Sequence, residues 1–235
     1  MSTEPGSTHR AIVTGSSAGI GRAIALGLLA RGWWVTGLDR SHATIEHTRY
    51  VHRASDLAGA DPEARLSEDD AQAEALVHAA GGMHAAPIGE LDAEAGERLW
   101  RLHVVALERL ANRLLPAMRA RGAGRLVVIG SRVAAGLPRR SQYAASKSAL
   151  IGMVRSWASE LAPFGVTANI VSPAATRTAM LDDPARASSP PRVPPLGRLI
   201  EPDEIASLVG FLLSPEAAAI TGQDIAICGG ASLPN

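Results

Sequence analysis

The sequence of 235 residues contains one cysteine, few aromatic residues and no excess of either charge. Cys228 on its own excludes an intrachain disulfide. Aromatic residues make up 3% of the chain and hydrophobic residues 46%, so the core must consist mainly of Ala, Leu, Val and Ile. Lys and Arg number 23 together, as do Asp and Glu. The net charge therefore gives no reason to expect a nucleic-acid or anionic-membrane partner.

The sequence also lacks any apolar run close to the roughly 18 residues that a membrane span needs. Residues 1–9 are polar and lack the apolar segment of a secretory signal, so we expect a flexible tail there and a single domain over residues 10–235. The lone cysteine is consistent with a reducing compartment, and we expect a cytoplasmic protein. The seven histidines include no HxxxH pair with an acidic partner, so no metal site is expected.

A glycine-rich turn at residues 14–21 separates an apolar run, 11–13, from a segment with helical character at 20–30. Gly15, Gly19 and Gly21 allow the backbone to turn sharply, to approach a bound group closely and to pack the helix on its strand. The free amides at the start of that helix and its dipole favour a phosphate. The sequence of this segment predicts a strand, then a phosphate-binding loop, then the start of a helix.

A second strand is predicted from Trp33 to Leu38, and it ends at Asp39. An acidic residue some 20 residues after the glycine turn accepts hydrogen bonds from the adenosine ribose and repels a 2′-phosphate, which favours NAD. The alternative is an ordinary polar turn. Arg40 is adjacent and suits a 2′-phosphate, so a preference for NADP stays open.

The remaining chain alternates between strand and helix patterns. A third strand is predicted at 49–53, before Asp56 and Leu57; Pro62 is placed to start a helix, in a segment that is short for a full crossover. A fourth strand is expected at 75–78, a long amphipathic helix from Leu91 to Arg121, and a buried fifth strand at 126–129. This alternation favours a doubly wound parallel α/β sheet.

The residues that suggest chemistry follow the fifth strand. Ser131 stands at its C-terminal end, where open α/β sheets bind ligands, and Tyr143 and Lys147 lie four residues apart on one face of the next predicted helix. A neighbouring ammonium stabilises a phenolate, so Tyr143 can exchange a proton with an alcohol or carbonyl while a nicotinamide exchanges hydride. Ser131 would bind the same substrate oxygen. Alone, the Tyr–Lys pair would more often be structural.

Taken together and in order, these motifs resemble the short-chain dehydrogenase/reductase family from about Ala11 to Leu233. The resemblance rests on residues 14–21, Asp39, the Ser131, Tyr143 and Lys147 set, residues 166–173, and the later segments 196–206 and 220–223. It implies a Rossmann-type sheet of seven parallel strands in the order 3-2-1-4-5-6-7. The cofactor-binding residues that it implies are Gly15, Ser17, Gly19, Ile20, Gly21, Asp39, Arg40, Asp56, Leu57, Ala79, Ala80, Gly81, Tyr143, Lys147, Pro173, Ala174, Thr176 and Thr178.

The chain departs from the family pattern at several positions. His78-Ala79-Ala80-Gly81 stands where the family has Asn-Asn-Ala-Gly, with the loss of side-chain amides that tie the end of the fourth strand to its neighbours. His103 takes the place of an asparagine that holds a relay water, and it is either a relay substitute or a mark of altered activity. Ala174 and Cys228 replace a glycine and an aspartate. The loop before Tyr143 is one residue short, which leaves Ser141 as a fallback for Ser131.

The resemblance also places a substrate lid at about residues 179–197, which here contains closely spaced prolines. Five arginines can bring positive charge to this side and favour an acidic substrate, although surface arginines are usually only solvated: Arg132, Arg139, Arg140, Arg186 and Arg192. Trp33 and Trp34 are expected to pack at the start of their strand.

The resemblance implies an NAD-dependent enzyme that interconverts a secondary alcohol and a ketone on a small, cyclic or acidic molecule. Its implied assembly is a homotetramer or dimer. The alternatives are an NADPH-preferring carbonyl reductase and, from another class, a cofactor-binding sensor or scaffold with little turnover.

Overall fold

The computed structural model describes residues 9–182 and 191–233, which form one α/β domain around a seven-stranded sheet. All neighbouring strands are parallel, and their order is β3-β2-β1-β4-β5-β6-β7, which confirms the expected topology. The strands are β1 (Arg10–Thr14), β2 (Trp34–Asp39), β3 (Tyr50–Ala54), β4 (Ala75–His78), β5 (Gly124–Ile129), β6 (Val166–Pro173) and β7 (Asp224–Ile227).

The helices cover the sheet on both faces, which explains why the central strands are apolar throughout. They are α1 (Gly19–Ala30), α2 (Ala93–Trp100), α3 (Ala106–Arg121), α4 (Ser141–Leu161) and α5 (Pro202–Leu212). One buried cluster joins α3 and α4 to residues such as Leu76 and Leu126, and a second joins α1 and α5 to Val13 and Val77. The sheet is thus the middle layer between two hydrophobic cores.

The long helix predicted from Leu91 begins at Ala93, because the side chain of Asp92 caps it by accepting a hydrogen bond from the Ala95 amide at 3.1 Å. A π-helical turn, Arg101–Val105, joins α2 to α3 with helical dihedral angles at both junctions. Within that turn Val104 is buried, whereas Val105 is only partly buried. The amphipathic pattern did not indicate this irregularity.

A helix does start at Pro62, but it is a single 3₁₀ turn over residues 62–65, and a second such turn follows at 69–72. Asp70 holds the second turn against β2 and β3, because its buried carboxylate accepts hydrogen bonds from Thr36 Oγ1 (2.7 Å), Arg53 Nε (2.8 Å) and the Ser67 amide (2.8 Å). Burial alone would raise the pKa of Asp70, but the hydrogen bonds from Ser67 and Thr36 and the charge of Arg53 together lower it.

Three predicted strand boundaries were wrong by one or two residues. β2 starts at Trp34 instead of Trp33, β3 starts at Tyr50, and β5 starts at Gly124. Trp33 lies before the strand and stacks on His9, with ring centroids 4.9 Å apart. Trp34 is 38% exposed because it opens the strand, where the Arg10 guanidinium lies over its ring. The expected packing role therefore applies to Trp33 only.

The predicted tail, residues 1–9, lies outside the described residues except for His9. Of the predicted lid, residues 183–190 with Arg186 also lie outside them. Residues 179–182 form a 3₁₀ turn, and the Leu196 amide donates a hydrogen bond to the Gly229 carbonyl at 3.1 Å. In the described part of the chain, no helix combines the length and apolar character required to cross a membrane.

Candidate active site

The glycine turn between β1 and α1 forms an open cradle beside the C-terminal edge of the sheet. Gly15 and Gly19 have φ values of +69° and +52°, which favour glycine. A Cβ on Gly15 would lie 2.9 Å from Ala80 Cα, and a Cβ on Gly21 would overlap the Gly15 carbonyl. Gly19 faces the methyl group of Thr178. Side chains at Gly15 and Gly21 would therefore collide with neighbouring backbone, so this close-packed turn requires glycine.

Neighbouring loops fix the far side of this turn. The hydroxyl groups of Ser16 and Tyr50 are hydrogen-bonded at 2.9 Å, and Thr44 Oγ1 donates to the Ser17 carbonyl at 2.7 Å. Gly37 lies beneath this contact, where a Cβ would overlap both hydroxyl groups. Sequence reasoning did not identify Tyr50 or Thr44, because a tyrosine in a strand and a threonine in a loop carry no local signal for such a contact.

Asp39 is oriented for a ligand by two backbone amides. Its Oδ2 accepts a hydrogen bond from the Ser17 amide at 3.0 Å and its Oδ1 one from the Ser41 amide at 2.8 Å. Each carboxylate oxygen keeps further acceptor capacity. The carboxylate borders a cleft of about 340 Å³. The predicted residues that line this cleft are Gly15, Asp39, Arg40, Asp56, Leu57, Ala80 and Gly81.

Arg98 also lines this cleft, and no sequence pattern indicated it. It projects from α2, and its guanidinium lies 3.9 Å from the Asp56 carboxylate. An arginine on the polar face of an amphipathic helix is ordinarily just solvated, so only the position of α2 reveals it. The cleft thus contains two arginines, Arg40 and Arg98, beside two carboxylates.

A second cavity of about 500 Å³ contains the predicted chemistry. Gly81, Gly82 and Met83 line both cavities, so the two meet there. The predicted site residues that line the second cavity are Gly19, Ile20, Ala79, Gly81, Ser131, Tyr143, Lys147, Pro173, Ala174, Thr176 and Thr178. Ser141 is exposed and does not line it, which favours Ser131 over the fallback. The predicted cofactor residues Ser17 and Gly21 line neither of the two cavities and lie within the glycine turn.

Ser131, Tyr143 and Lys147 are all nearly buried, with 7%, 7% and 4% of their surface exposed. The Lys147 ammonium donates a hydrogen bond to the Ile129 carbonyl at 2.8 Å, and burial lowers the pKa of Lys147 to about 7. Ser131 Oγ accepts a hydrogen bond from the Val133 amide at 3.1 Å, so its own hydrogen is directed elsewhere. The strand end and the first turn of α4 thus bring a hydroxyl, a phenol and an amine to one cavity.

His103 lies in the π-helical turn behind these residues and is fully buried. Its Nε2 accepts a hydrogen bond from the Gly82 amide at 3.1 Å, so its Nδ1 donates to Ser146 Oγ at 2.9 Å. Ser146 Oγ in turn donates to the Tyr143 carbonyl at 2.9 Å. Burial, then the charge of Lys147, holds the pKa of His103 well below its usual range. Both ring nitrogens are therefore occupied in a neutral imidazole.

The end of β4 is tied to β1 without the expected side-chain amides. Thr14 Oγ1 accepts hydrogen bonds from the amides of Ala79 at 3.0 Å and Ala80 at 2.9 Å, and it donates to His78 Nδ1 at 3.1 Å. The side-chain amides are absent as expected, and backbone amides and His78 supply the contacts between β4 and β1 instead. Burial and the charge of Lys147 lower the pKa of His78 to about 3, although the carbonyls of Leu102 and His103 oppose this.

Comparison with known proteins gives a consistent set of relatives. A family model described as "Enoyl-(Acyl carrier protein) reductase" matches residues 15–232. The chain is 35% identical over 234 residues to 3-oxoacyl-[acyl-carrier-protein] reductase FabG of Vibrio harveyi, covering 94% of this chain and 96% of the relative. It is 32% identical over 252 residues to the vibriobactin-specific 2,3-dihydro-2,3-dihydroxybenzoate dehydrogenase of Vibrio cholerae serotype O1, covering 95% and 96%.

Solved structures match over the same length. A short chain dehydrogenase/reductase family protein superposes with a TM-score of 0.87 at 33% identity, covering 96% of this chain and 98% of that one. The 3-ketoacyl-(acyl-carrier-protein) reductase from Brucella melitensis complexed with NADH superposes with a TM-score of 0.85 at 25% identity, covering 96% of this chain and 98% of that one. A variant of the actinorhodin polyketide ketoreductase with NADPH superposes with a TM-score of 0.86 at 27% identity, and the match covers 100% of both chains.

Proposed function

Since the chain belongs to the short-chain dehydrogenase/reductase family, whose members are oxidoreductases that use a nicotinamide cofactor, we propose that it interconverts a secondary alcohol and a ketone with NAD(H). The observation that carries this proposal is one cavity, lined by Ser131, Tyr143 and Lys147, that adjoins the glycine cradle. The glycine turn at the start of α1, whose close packing requires glycine, and the oriented Asp39 carboxylate fit a dinucleotide.

In this proposal, the nicotinamide supplies or accepts the hydride when it is bound. Tyr143 donates its phenolic proton to the carbonyl oxygen in reduction and takes it back in oxidation. Ser131 donates a second hydrogen bond to the same oxygen, because its acceptor side is already used by the Val133 amide. The Lys147 ammonium provides positive charge near the developing phenolate, and its hydrogen bond to the Ile129 carbonyl fixes its position.

We assign His103 a positioning role in preference to proton relay. A relay must accept and release protons, whereas Nε2 is engaged by the Gly82 amide and Nδ1 by Ser146. The hydrogen bonds instead join the loop after β4 to the first turn of α4, near Tyr143. A relay role would require Nε2 to release the Gly82 amide first.

For the cofactor we favour NAD. Asp39 presents its carboxylate at the adenosine end of the cleft, where it can accept hydrogen bonds from ribose hydroxyls and repel a 2′-phosphate. A preference for NADPH is the second candidate, because Arg40 and Arg98 line the same cleft. The structural neighbours include complexes with both cofactors, so they do not favour either.

The first test is fluorescence titration of the protein with NADH and NADPH. We expect NADH to bind at least about tenfold more tightly, and Asp39→Ala to weaken NADH binding by a similar factor, since a charged hydrogen bond contributes about 1.5–3 kcal/mol. Tighter binding of NADPH, weakened in Arg40→Ala or Arg98→Ala, would instead support the second candidate.

Turnover is then measured with a panel of ketones and secondary alcohols. Loss of the acid/base group in Tyr143→Phe should lower kcat by about 10²–10⁴-fold with little change in NADH affinity. If either nucleotide binds but nothing in the panel is turned over, the sensor alternative is favoured. Failure to bind either nucleotide would exclude both the enzyme and the sensor.

A further inference from the structure

The cleft of about 340 Å³ that Asp39 borders has two walls of different origin, and we call it the Asp39 cleft. One wall follows β3 and includes Asp56 and Leu57, and the other is formed by α2 with Arg98. The cofactor residues that the family resemblance implied for this cleft all lie at or after the ends of parallel strands. The wall that α2 contributes is therefore left without an assigned role.

Arg98 is the charged residue of the α2 wall. Its Nη2 lies 3.9 Å from Oδ2 of Asp56, whose other oxygen, Oδ1, accepts a hydrogen bond from the Ala58 amide at 3.1 Å. The two charged side chains are 55% and 52% exposed, and 3.9 Å is too long for a hydrogen bond, so this ion pair contributes little to stability. The guanidinium is attracted towards Asp56 but keeps its flat faces available to a ligand.

Contacts with α4 fix α2 in front of the cleft. Gln142 Nε2 donates a hydrogen bond to the Asp92 carbonyl at 2.7 Å, and a Cβ on Gly96 would overlap the Gln142 side chain. Leu99, the residue after Arg98, is 5% exposed and packs in a buried cluster with Tyr143. The backbone position of Arg98 therefore depends on packing within the protein and needs no ligand.

The Asp39 cleft suits a flat, uncharged group better than an anion. Its apolar lining includes Leu57 and Ala80. Among the described residues that line it, carboxylates and guanidinium groups are equal in number: Asp39, Asp56, Arg40 and Arg98. These charges balance, so they give no net attraction for a phosphate. A guanidinium is planar and weakly hydrated, and it stacks well on the face of an aromatic ring.

Resting on the nicotinamide-dependent function proposed above, we infer that Arg98 binds the adenine ring of the cofactor by stacking its guanidinium on the ring. In that proposal the glycine turn holds phosphate and Asp39 holds ribose, so the base belongs in the remaining part of the cleft, between Leu57 and α2. Asp56 balances the charge of Arg98. The contribution of Arg98 is therefore the same whether or not the ribose carries a 2′-phosphate.

Three nucleotides test this inference by fluorescence titration: NADH, NADPH, and ADP-ribose, which lacks the nicotinamide and is measured by its displacement of NADH. We expect Arg98→Gln to weaken all three by one common factor of about 3- to 10-fold, the loss expected for a partly exposed stacking cation. Arg98→Lys keeps the charge but lacks the planar face, so its affinities should stay close to those of Arg98→Gln.

The matched control is Arg101→Gln. Arg101 is an exposed arginine three residues further along the chain that pairs with Glu97 and lines neither cavity, so nucleotide affinities should stay at the wild-type values. A loss of similar size in this variant would show that any charge removed from this part of the surface weakens binding. That result would overturn the specific role of Arg98.

Three further results would overturn the inference. A loss confined to NADPH would assign Arg98 to a 2′-phosphate. A loss for NADH without one for ADP-ribose would show that Arg98 acts through α2 on the nicotinamide side. Wild-type affinities in Arg98→Gln, full recovery in Arg98→Lys, or failure of ADP-ribose to displace NADH from the wild type would show that stacking on adenine makes no contribution.

The same titrations separate this inference from the proposed function. Weaker binding of NADH and ADP-ribose to Arg98→Gln, in a protein that turns over no alcohol or ketone, supports the inference and contradicts the oxidoreductase. Turnover of a ketone with NADH, combined with wild-type NADH affinity in Arg98→Gln, does the reverse. If the wild type binds none of the three nucleotides, both are overturned.

Discussion

Three side chains capable of positive charge are buried together beneath the cofactor cleft: Lys147, His78 and His103. Burial lowers the pKa of each, and the charge of Lys147 lowers those of both histidines further. The histidines are consequently neutral at physiological pH and serve as hydrogen-bonding groups. Of these three groups, Lys147 alone titrates near neutrality.

Lys147 should destabilise the protein without cofactor at neutral and acidic pH. Its folded pKa of about 7 is below the value of 10.5 expected when unfolded, so the penalty for burying the charge is complete below pH 7 and disappears as pH rises towards 10.5. We expect the free energy of unfolding to rise over this window by up to about 1.4 kcal/mol per pH unit.

Lys147→Met tests this directly, since it keeps the volume of the stem and removes the charge. Urea unfolding at pH 7 and pH 9.5 should show a smaller gain of stability for the variant than for the wild type, and the variant should be the more stable at pH 7. Equal pH dependence in both proteins would show that Lys147 is not the group responsible.

At the scale of the element, the glycine turn depends on contacts between residues that are remote in sequence. Tyr50 opens β3, two strands away from β1, yet its hydroxyl group bonds Ser16 within the turn. Gly37 in the intervening strand lets the two groups meet. The strand order thus allows Tyr50, which belongs to no recognisable motif, to support the glycine turn. We call this hydrogen bond the brace.

Tyr50→Phe should therefore weaken NADH binding by about 3- to 10-fold, the loss expected for one neutral hydrogen bond of about 0.5–1.5 kcal/mol. We expect kcat at saturating NADH to stay within about twofold, because Tyr50 does not line the catalytic cavity. Val51→Thr, at an exposed position of the same strand, is the matched control. Equal affinities for the two variants would refute the brace.

At the scale of the whole molecule, the C-terminal ends of β1, β2, β4, β5 and β6 lie at one edge of the parallel sheet. The buried histidines form hydrogen bonds between elements near this edge. His78 belongs to β4 and contacts β1 through Thr14, while His103 links the loop after β4 to α4. Protonation of either histidine would disrupt contacts between elements that form the site. Acidification should therefore lower the stability of the whole fold.

We expect stability to fall as pH decreases below about 6.5. The folded pKa of His78 is about 3 and that of His103 is also lowered, while both should titrate near 6.5 when unfolded. The unfolded chain then binds more protons, so stability present above pH 6.5 is lost towards pH 3, at up to about 1.4 kcal/mol per pH unit for each histidine.

Urea unfolding between pH 7 and pH 4 provides the measurement. His103→Phe should be less stable at pH 7, because it leaves the Gly82 amide without its acceptor, and should lose stability less steeply on acidification. The control is His84→Phe, which changes a partly exposed histidine in the loop after β4. A slope in His103→Phe as steep as that of the wild type would contradict this account.

The sequence by itself determined the features that depend on local pattern. The glycine turn, the acidic end of β2, the Tyr143 and Lys147 spacing and the apolar central strands all follow from backbone freedom and side-chain periodicity, and together with the family resemblance they predicted the sheet order. The segment after Pro62 shows the limit of such patterns: the helix that starts there is a single 3₁₀ turn, and the residues that follow are held by the buried carboxylate of Asp70, whose partners Thr36 and Arg53 lie on other elements.

Only the tertiary structure decided which side chains meet across long sequence separations. The positions of Arg98 in the cleft beside Asp39, of Tyr50 beneath the glycine turn and of the partners of His103 depend on where helices and edge strands pack. The same holds for Arg140, which the sequence grouped with four other arginines and the fold alone buries beside Tyr143. Local pattern fixes which backbone shapes a segment can adopt, whereas burial and electrostatics arise from neighbours that the chain brings together only on folding.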